Sequence, residues 1–143
     1  MKKVVALFLS LFVALSFCAC AKAAEKGSMA EESFDFTAYN SLIAYSKMCE
    51  ILRDSDRYVG ATFKVKGRFV SYYVDSMEEY HASVTIEDTP NCCAVGLEFV
   101  LKGEPSCPEG YPARDEIVTI EGKFETYEDK GVTYPRLIEA EIK

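Results

Sequence analysis

The chain has 143 residues, enough for one folded domain and too few for two, and its formal charge is −7. It is 49% apolar and 13% aromatic with no Trp, so Phe and Tyr must fill its core. Setting aside Lys2 and Lys3 leaves 14 basic against 23 acidic residues, a surplus that repels a phosphate backbone and disfavours nucleic acid as a partner.

Residues 1–20 read as an export signal: Lys2 and Lys3, an uncharged and mostly apolar run over 4–17, then Phe17-Cys18-Ala19-Cys20. The run is too short to remain in a bilayer as a spanning helix. Its end resembles a bacterial lipobox, with small Ala19 just before Cys20, which implies Cys20 as the first mature residue and the site of lipid (palmitate) attachment. The position three before Cys20, usually Leu in such boxes, is Phe17 here. The alternative is ordinary cleavage at Ala21-Lys22-Ala23 and a product without lipid. In the lipoprotein reading the mature chain is extracytoplasmic and anchored to the outer face of the cell membrane. Residues 21–36 are small, polar and charged with no apolar period, which predicts a flexible tether. Residues 37–143 are then the folded domain.

Within 37–53, Ile43, Met48, Ile51 and Leu52 recur at helical spacing beside Ala44 and Tyr45, with Thr37, Asn40 or Ser41 to cap the start. The expectation is one amphipathic helix, ended by Asp54-Ser55-Asp56-Arg57. In 58–73 the period changes to two: Phe63, Val65, Phe69 and Tyr73 face one way, Thr62, Lys64, Lys66 and Arg68 the other. Gly67 interrupts the apolar face, where a missing side chain lets a strand coil sharply. The phrase Val65-Lys66-Gly67-Arg68-Phe69 is echoed by Ile120-Glu121-Gly122-Lys123-Phe124. Further strands are expected over 80–86, with Tyr80, Ala82, Val84 and Ile86 inward, and over 93–101, with Cys93, Val95, Leu97, Phe99 and Leu101 inward. Asp88-Thr89-Pro90-Asn91 forms the turn between them. The connection over 102–116 holds three prolines and two glycines, against a helix. Strands over 117–127 and 132–142 close the chain around a tight turn at 128–131, with Ile138, Ala140 and Ile142 sharing a face.

One helix followed by five evenly spaced strands predicts a mainly β fold, a five-stranded Greek-key barrel. The runs YVGATFKVKGRF and ARDEIVTIEGKFETY resemble bacterial oligonucleotide/oligosaccharide-binding (OB) domains of the tRNA-anti-like type, whose first and fourth strands carry a similar V-x-V-x-G phrase. The pieces YVG, CC, G-x-EF and FETY also resemble small exported OB-like lipoproteins of Gram-positive bacteria, of unassigned role. The resemblance spans about residues 40–143. It implies the OB fold and no activity. One departure is that no helix is expected between the third and fourth strands, so the N-terminal helix is expected to plug the barrel end. A flattened, partly open sheet with the helix on one face is the competing architecture.

Four cysteines lie in the domain: Cys49, Cys92, Cys93 and Cys107. Outside the cytoplasm such thiols tend to pair. Neighbours on a strand point to opposite faces, which disfavours joining Cys92 to Cys93 and leaves Cys49–Cys93 with Cys92–Cys107 as the expected disulfides. Free buried thiols are the alternative. A zinc site from Cys49, Cys92, Cys93 and His81 or Cys107 has neither C-x-x-C nor a second histidine, so no metal or cofactor is expected. His81, the single histidine, falls on the outer face of its strand with Ser83 and Thr85, and no nucleophile is spaced to use it. No enzyme motif is present. Lys64, Lys66 and Arg68 form a basic ladder that Glu121 and Glu125 balance if the first and fourth strands pair. The surplus tyrosines point to a ligand face, with Tyr72, His81 and Tyr111 as candidates and Tyr58, Tyr73 and Tyr80 assigned to packing. The leading reading is a non-catalytic module that recognises a protein or a cell-envelope glycan. The alternatives are a thiol-redox or metal-handling protein using Cys49, Cys92 and Cys93, and a single-stranded nucleic-acid binder.

Overall fold

A computed structural model describes residues 27–143 except 76, 90, 91 and 104. The expected export signal, with Cys20 and the alternative cleavage site at Ala21-Lys22-Ala23, lies outside the described residues, as do Pro90 and Asn91 of the turn. Among the described residues no helix is long and apolar enough to cross a membrane.

The described chain is mainly β, with strands β1 (Ser33–Asp35), β2 (Thr62–Val74), β3 (Glu79–Glu87), β4 (Ala94–Leu101), β5 (Ile117–Asp129) and β6 (Val132–Ile142). One α-helix, α1 (Ser41–Arg53), precedes β2. The sheet has six strands where five are expected. The additional one is β1, which pairs parallel to the start of β2 through Ser33–Thr62 and Asp35–Lys64. Residues 33–36, expected to belong to the tether, are thus part of the fold. The Met29 amide donates to the Arg57 carbonyl, and Phe36 is buried in the core. An aromatic at 34 and another at 36 supply the apolar anchor that the polar composition of this stretch hides: Phe34 packs edge-on to Phe63 at 5.1 Å.

Strand β2 holds the sheet together. Its first half pairs antiparallel with β5, from Thr62–Lys123 to Arg68–Ile117, and its second half with β3, from Arg68–Thr85 to Val74–Glu79. The order is β1-β2-β3-β4-β6-β5, and the β2–β5 pairing returns to β2, so the sheet closes partially. β4 and β6 run parallel. The expected alternation holds at Phe63, Val65 and Phe69, all buried, and fails at Tyr73, which is exposed. Tyr73 lies beyond the core, edge-on to exposed Tyr80 across the β2–β3 hairpin at 5.2 Å.

The two repeated glycines mark the points of closest approach. A Cβ on Gly67 would overlap the Thr85 carbonyl group, its carbon lying 2.9 Å away. One on Gly122 would sit 2.9 Å from the Ile138 carbonyl oxygen and 3.2 Å from Ala140. Opposite Gly122, β6 has two residues between the pairs Lys123–Ile138 and Glu121–Glu141 where β5 has one, a β-bulge with Glu139 at φ 49°. The bulge shifts the phase of β6, so Leu137 joins Ala140 in the core, while Ile138 and Ile142, expected to share its face, do not.

Helix α1 begins at Asn40, whose side chain accepts the Ile43 amide, and buries Ala44, Met48 and Ile51 against β3 and β4. The connection over 102–116 contains no helix among the described residues. Two of the three ladder residues are balanced within the sheet: Lys64 lies opposite Glu121 and 3.7 Å from Asp35, and Arg68 is 3.2 Å from Glu87, whereas Lys66 lies opposite Thr119 and Glu125 meets Arg136 instead.

Replacing Gly67 with Ala is expected to lower the free energy of unfolding by about 1–3 kcal/mol, the range for overpacking a filled site. Gly27→Ala, where an added Cβ meets nothing within 4 Å, should change it by less than about 0.5 kcal/mol. Urea unfolding of the two variants checks this, and equal midpoints would contradict the close approach at Gly67.

Candidate functional site

Polar and aromatic side chains gather on the outward face of β3, β4, β5 and β6. Inward Ala82, Leu97, Phe99, Phe124 and Leu137 fix the phase of these strands, so His81, Glu98, Glu125, Tyr127 and Arg136 point away from the core. The Lys130-Gly131 turn, with φ 51° and 80°, sets the hairpin register that places Tyr127 opposite Tyr134 and Glu125 opposite Arg136. Glu98 pairs in register with Arg136 across the parallel β4–β6 ladder.

Glu98 is the centre of this cluster, with its side chain only 11% exposed. One carboxylate oxygen, Oε2, receives the Tyr127 hydroxyl at 3.0 Å and meets His81 Nδ1 at 2.9 Å. The other ring nitrogen of His81 lies 3.1 Å from Glu79 Oε1. Arg136 donates to Glu125 at 2.7 Å and lays its guanidinium over the Tyr127 ring, 4.6 Å from the centroid. Tyr134 stacks on Tyr127 at 5.5 Å, and Tyr72 tilts against His81 at 5.9 Å. Burial and then the Glu98 charge push the Tyr127 phenol well above its ordinary range. Burial, again followed by Glu98, raises Tyr72. Tyr72 and Tyr134 remain 45% and 40% exposed. A groove of about 1130 Å³ runs beside the cluster, lined among others by the polar His81, Glu98, Glu125 and Arg136 and by Phe99, Leu101, Cys107 and Tyr111.

The ligand-face candidates from sequence separate. Tyr72 is exposed as expected. His81 is on the outward side yet only 8% exposed, because Glu79, Glu98 and Tyr72 cover it. Tyr111 is half-buried: its ring stacks on Phe69 at 6.2 Å and its hydroxyl accepts the Leu101 amide. It is chiefly a packing residue whose edge meets the groove. Sequence reasoning missed Glu98, Tyr127, Tyr134 and Arg136. The signal for three of them was the two-residue turn, since counting back from it pairs 127 with 134 and 125 with 136.

The four cysteines are free thiols. Strand β4 starts at Ala94, so Cys92 and Cys93 belong to the β3–β4 loop and the alternation that would drive their side chains apart does not apply. Their sulfurs lie 3.7 Å apart. Asp88 pins the loop: its amide donates to the Cys93 carbonyl, and its carboxylate accepts the Cys93 and Thr89 amides. Those hydrogen bonds, with Cys93 first, hold the Asp88 carboxyl below its usual range. The Ser41 hydroxyl donates to the Asp88 carbonyl at 3.1 Å, docking α1 on the loop. Ser41, Tyr45 and Cys49 recur every four residues on one helix face. The Tyr45 phenol is raised first by its hydrogen bond and charge interaction with Cys49, and less by burial, Cys93 and Asp88. Cys107 is elsewhere. It follows the far end of β4, a strand of 8 residues and so roughly 23 Å long, and burial in the groove wall raises its thiol. The structure thus brings Cys92, Cys93 and Asp88 together, with Cys49 on the α1 face that docks at Ser41, and does not bring Cys92 to Cys107.

Compared with protein-family models, curated proteins and solved structures, the chain matches none.

Glu98→Ala leaves the Tyr127 hydroxyl and His81 Nδ1 without their acceptor, and should cost about 1–3 kcal/mol of stability by urea unfolding. Tyr127 is neutral at neutral pH and its pKa is raised on folding. Its contribution is therefore complete below the unfolded value near 10 and is lost as pH rises through that value towards the folded one. Tyr127→Phe should flatten the decline of stability above about pH 10. An unchanged alkaline profile would contradict the burial of this phenol.

Proposed function

We propose that the chain is a membrane-anchored, extracytoplasmic recognition module, built on an OB-like Greek-key barrel, that binds a cell-envelope glycan without turning it over. The observation that carries the ligand class is the Glu98 network beside the groove. A carboxylate held at 11% exposure, bridged to His81 and Tyr127 and flanked by the open rings of Tyr72 and Tyr134, is costly to build into a sheet face that needs only solubility. Sugars use both halves of such a surface. Their hydroxyls donate to carboxylates, and their C–H faces lie on aromatic rings.

The barrel reading is supported by the order of the five long strands, β2-β3-β4-β6-β5 and back to β2, with the parallel β4–β6 pair. OB barrels bind oligosaccharides and oligonucleotides on the face of their second and third strands, flanked by the loops between strands one and two and between four and five. Here those strands are β3 and β4, which carry His81 and Glu98. The adjoining groove is lined by five carboxylates, Glu78, Glu79, Glu98, Glu125 and Glu139, against Lys102 and Arg136 among the described residues, a balance that favours a neutral or amino sugar over a phosphate backbone. The anchor rests on the lipobox resemblance at Cys20. No constellation for covalent chemistry accompanies the network among the described residues, so recognition is the simpler role.

Retention on immobilised cell-wall polysaccharide and peptidoglycan fragments tests the ligand. Wild type should bind at least one of them, and Tyr134→Ala and Tyr72→Ala should each weaken binding about tenfold, about 1.4 kcal/mol. Binding to single-stranded DNA that weakens steeply with salt, or to a protein and no glycan, would overturn the ligand class. Labelled palmitate should appear on the wild-type chain in cells and vanish in Cys20→Ser, and labelling that survives the substitution would overturn the anchor.

A further inference from the structure

The β3–β4 loop holds a second cluster, on another part of the surface and independent of the Glu98 network. The sulfurs of Cys92 and Cys93 and a carboxylate oxygen of Asp88 all lie within 4.8 Å of one another. Two zinc–sulfur bonds of about 2.3 Å meeting at the tetrahedral angle span a sulfur–sulfur edge of about 3.8 Å. The Cys92–Cys93 edge is 3.7 Å. We infer that this loop is a binding site for a thiophilic, tetrahedral divalent cation such as zinc, with Cys92, Cys93 and Asp88 as ligands and Cys49 approaching from α1.

Two features support the assignment. The edge is prepared by the backbone, because the paired hydrogen bonds between Asp88 and Cys93 fix both residues before any ion arrives. Helix α1 is tied to the same loop through Ser41, and Cys49 lies on the same face of that helix as Ser41 and Tyr45. Binding converts each ligating thiol to a thiolate, so one proton leaves per Cys ligand and the ion takes the sulfur lone pairs. Cys92 and Cys93 are exposed, and the site supplies three ligands or four with Cys49. Such a site suits an ion that is loaded and passed on, or one that a second molecule completes, more than one buried for structure.

The test uses the full chain in detergent, reduced and freed of metal, titrated with zinc against a chromophoric chelator. One equivalent should bind with a dissociation constant below about 1 µM, and cadmium in its place should give a thiolate charge-transfer band in the ultraviolet. Cys92→Ser and Cys93→Ser should each weaken binding about 100-fold, and Cys49→Ser or Asp88→Asn about tenfold. Cys107→Ser should change nothing. Circular dichroism of each variant separates lost ligation from lost fold, and the exposed loop positions should leave the spectrum intact. No binding tighter than about 100 µM, no charge-transfer band, or wild-type affinity retained in folded Cys92→Ser or Cys93→Ser would overturn the site.

Discussion

The contact between Gly67 of β2 and the carbonyl of Thr85 on β3 is the constraint on which the rest depends. Strand β2 has two sets of partners, β5 along its first half and β3 along its second, and Arg68 belongs to both registers. A strand can serve both only by coiling through the changeover, and coiling drives its concave side into its neighbour. With no Cβ at 67 the backbone of β3 can occupy that space. Gly122 performs the same service for β5 against the bulge of β6. The repeated phrase in the sequence thus corresponds to two close approaches in one sheet, each placed where a strand must bend over another.

The candidate ligand face follows from this closure. Because β4 lies between β3 and the parallel β6, its outward residue Glu98 can meet a side chain from β3, His81, and one from β5, Tyr127. A flat sheet in this order would leave Tyr127 too far along to reach it. The face is accordingly rigid where it is polar, since each polar group is held by a neighbour, and open where it is aromatic. That combination presents a ligand with fixed acceptors and free ring faces at little ordering cost. The thiol loop lies at the start of β4, where α1 docks.

Most of the fold was legible in the sequence because period-two and period-3.6 patterns record burial directly. The five long strands and the helix follow those patterns, and Asn40 was among the expected caps. The features that were not legible are those where local pattern and tertiary context part. β1 is three residues of mixed polarity, too short to show a period, and its parallel partner is 29 positions away. The bulge at Glu139 cannot be seen as a break in alternation, because Ile138, Ala140 and Ile142 read as an unbroken apolar set. The candidate site was less legible than the fold. His81 was visible as the single histidine, but its burial depends on Glu98 and Tyr72 from other strands. The Cys92–Cys93 edge was obscured by extending the strand one residue too far, since alternation within a strand and clustering in a loop give opposite answers for adjacent side chains.

The claim at the centre is that one strand, kinked at Gly67, joins both sides of the sheet. Proton NMR tests it most directly through backbone cross-strand effects within a single protein sample. The account predicts simultaneous contacts from Phe69 to Val84 and from Val65 to Ile120, together with amide protection on both flanks of Gly67. Contacts from β2 to β3 alone, with the amides facing β5 exchanging freely, would mean an open sheet and would contradict it.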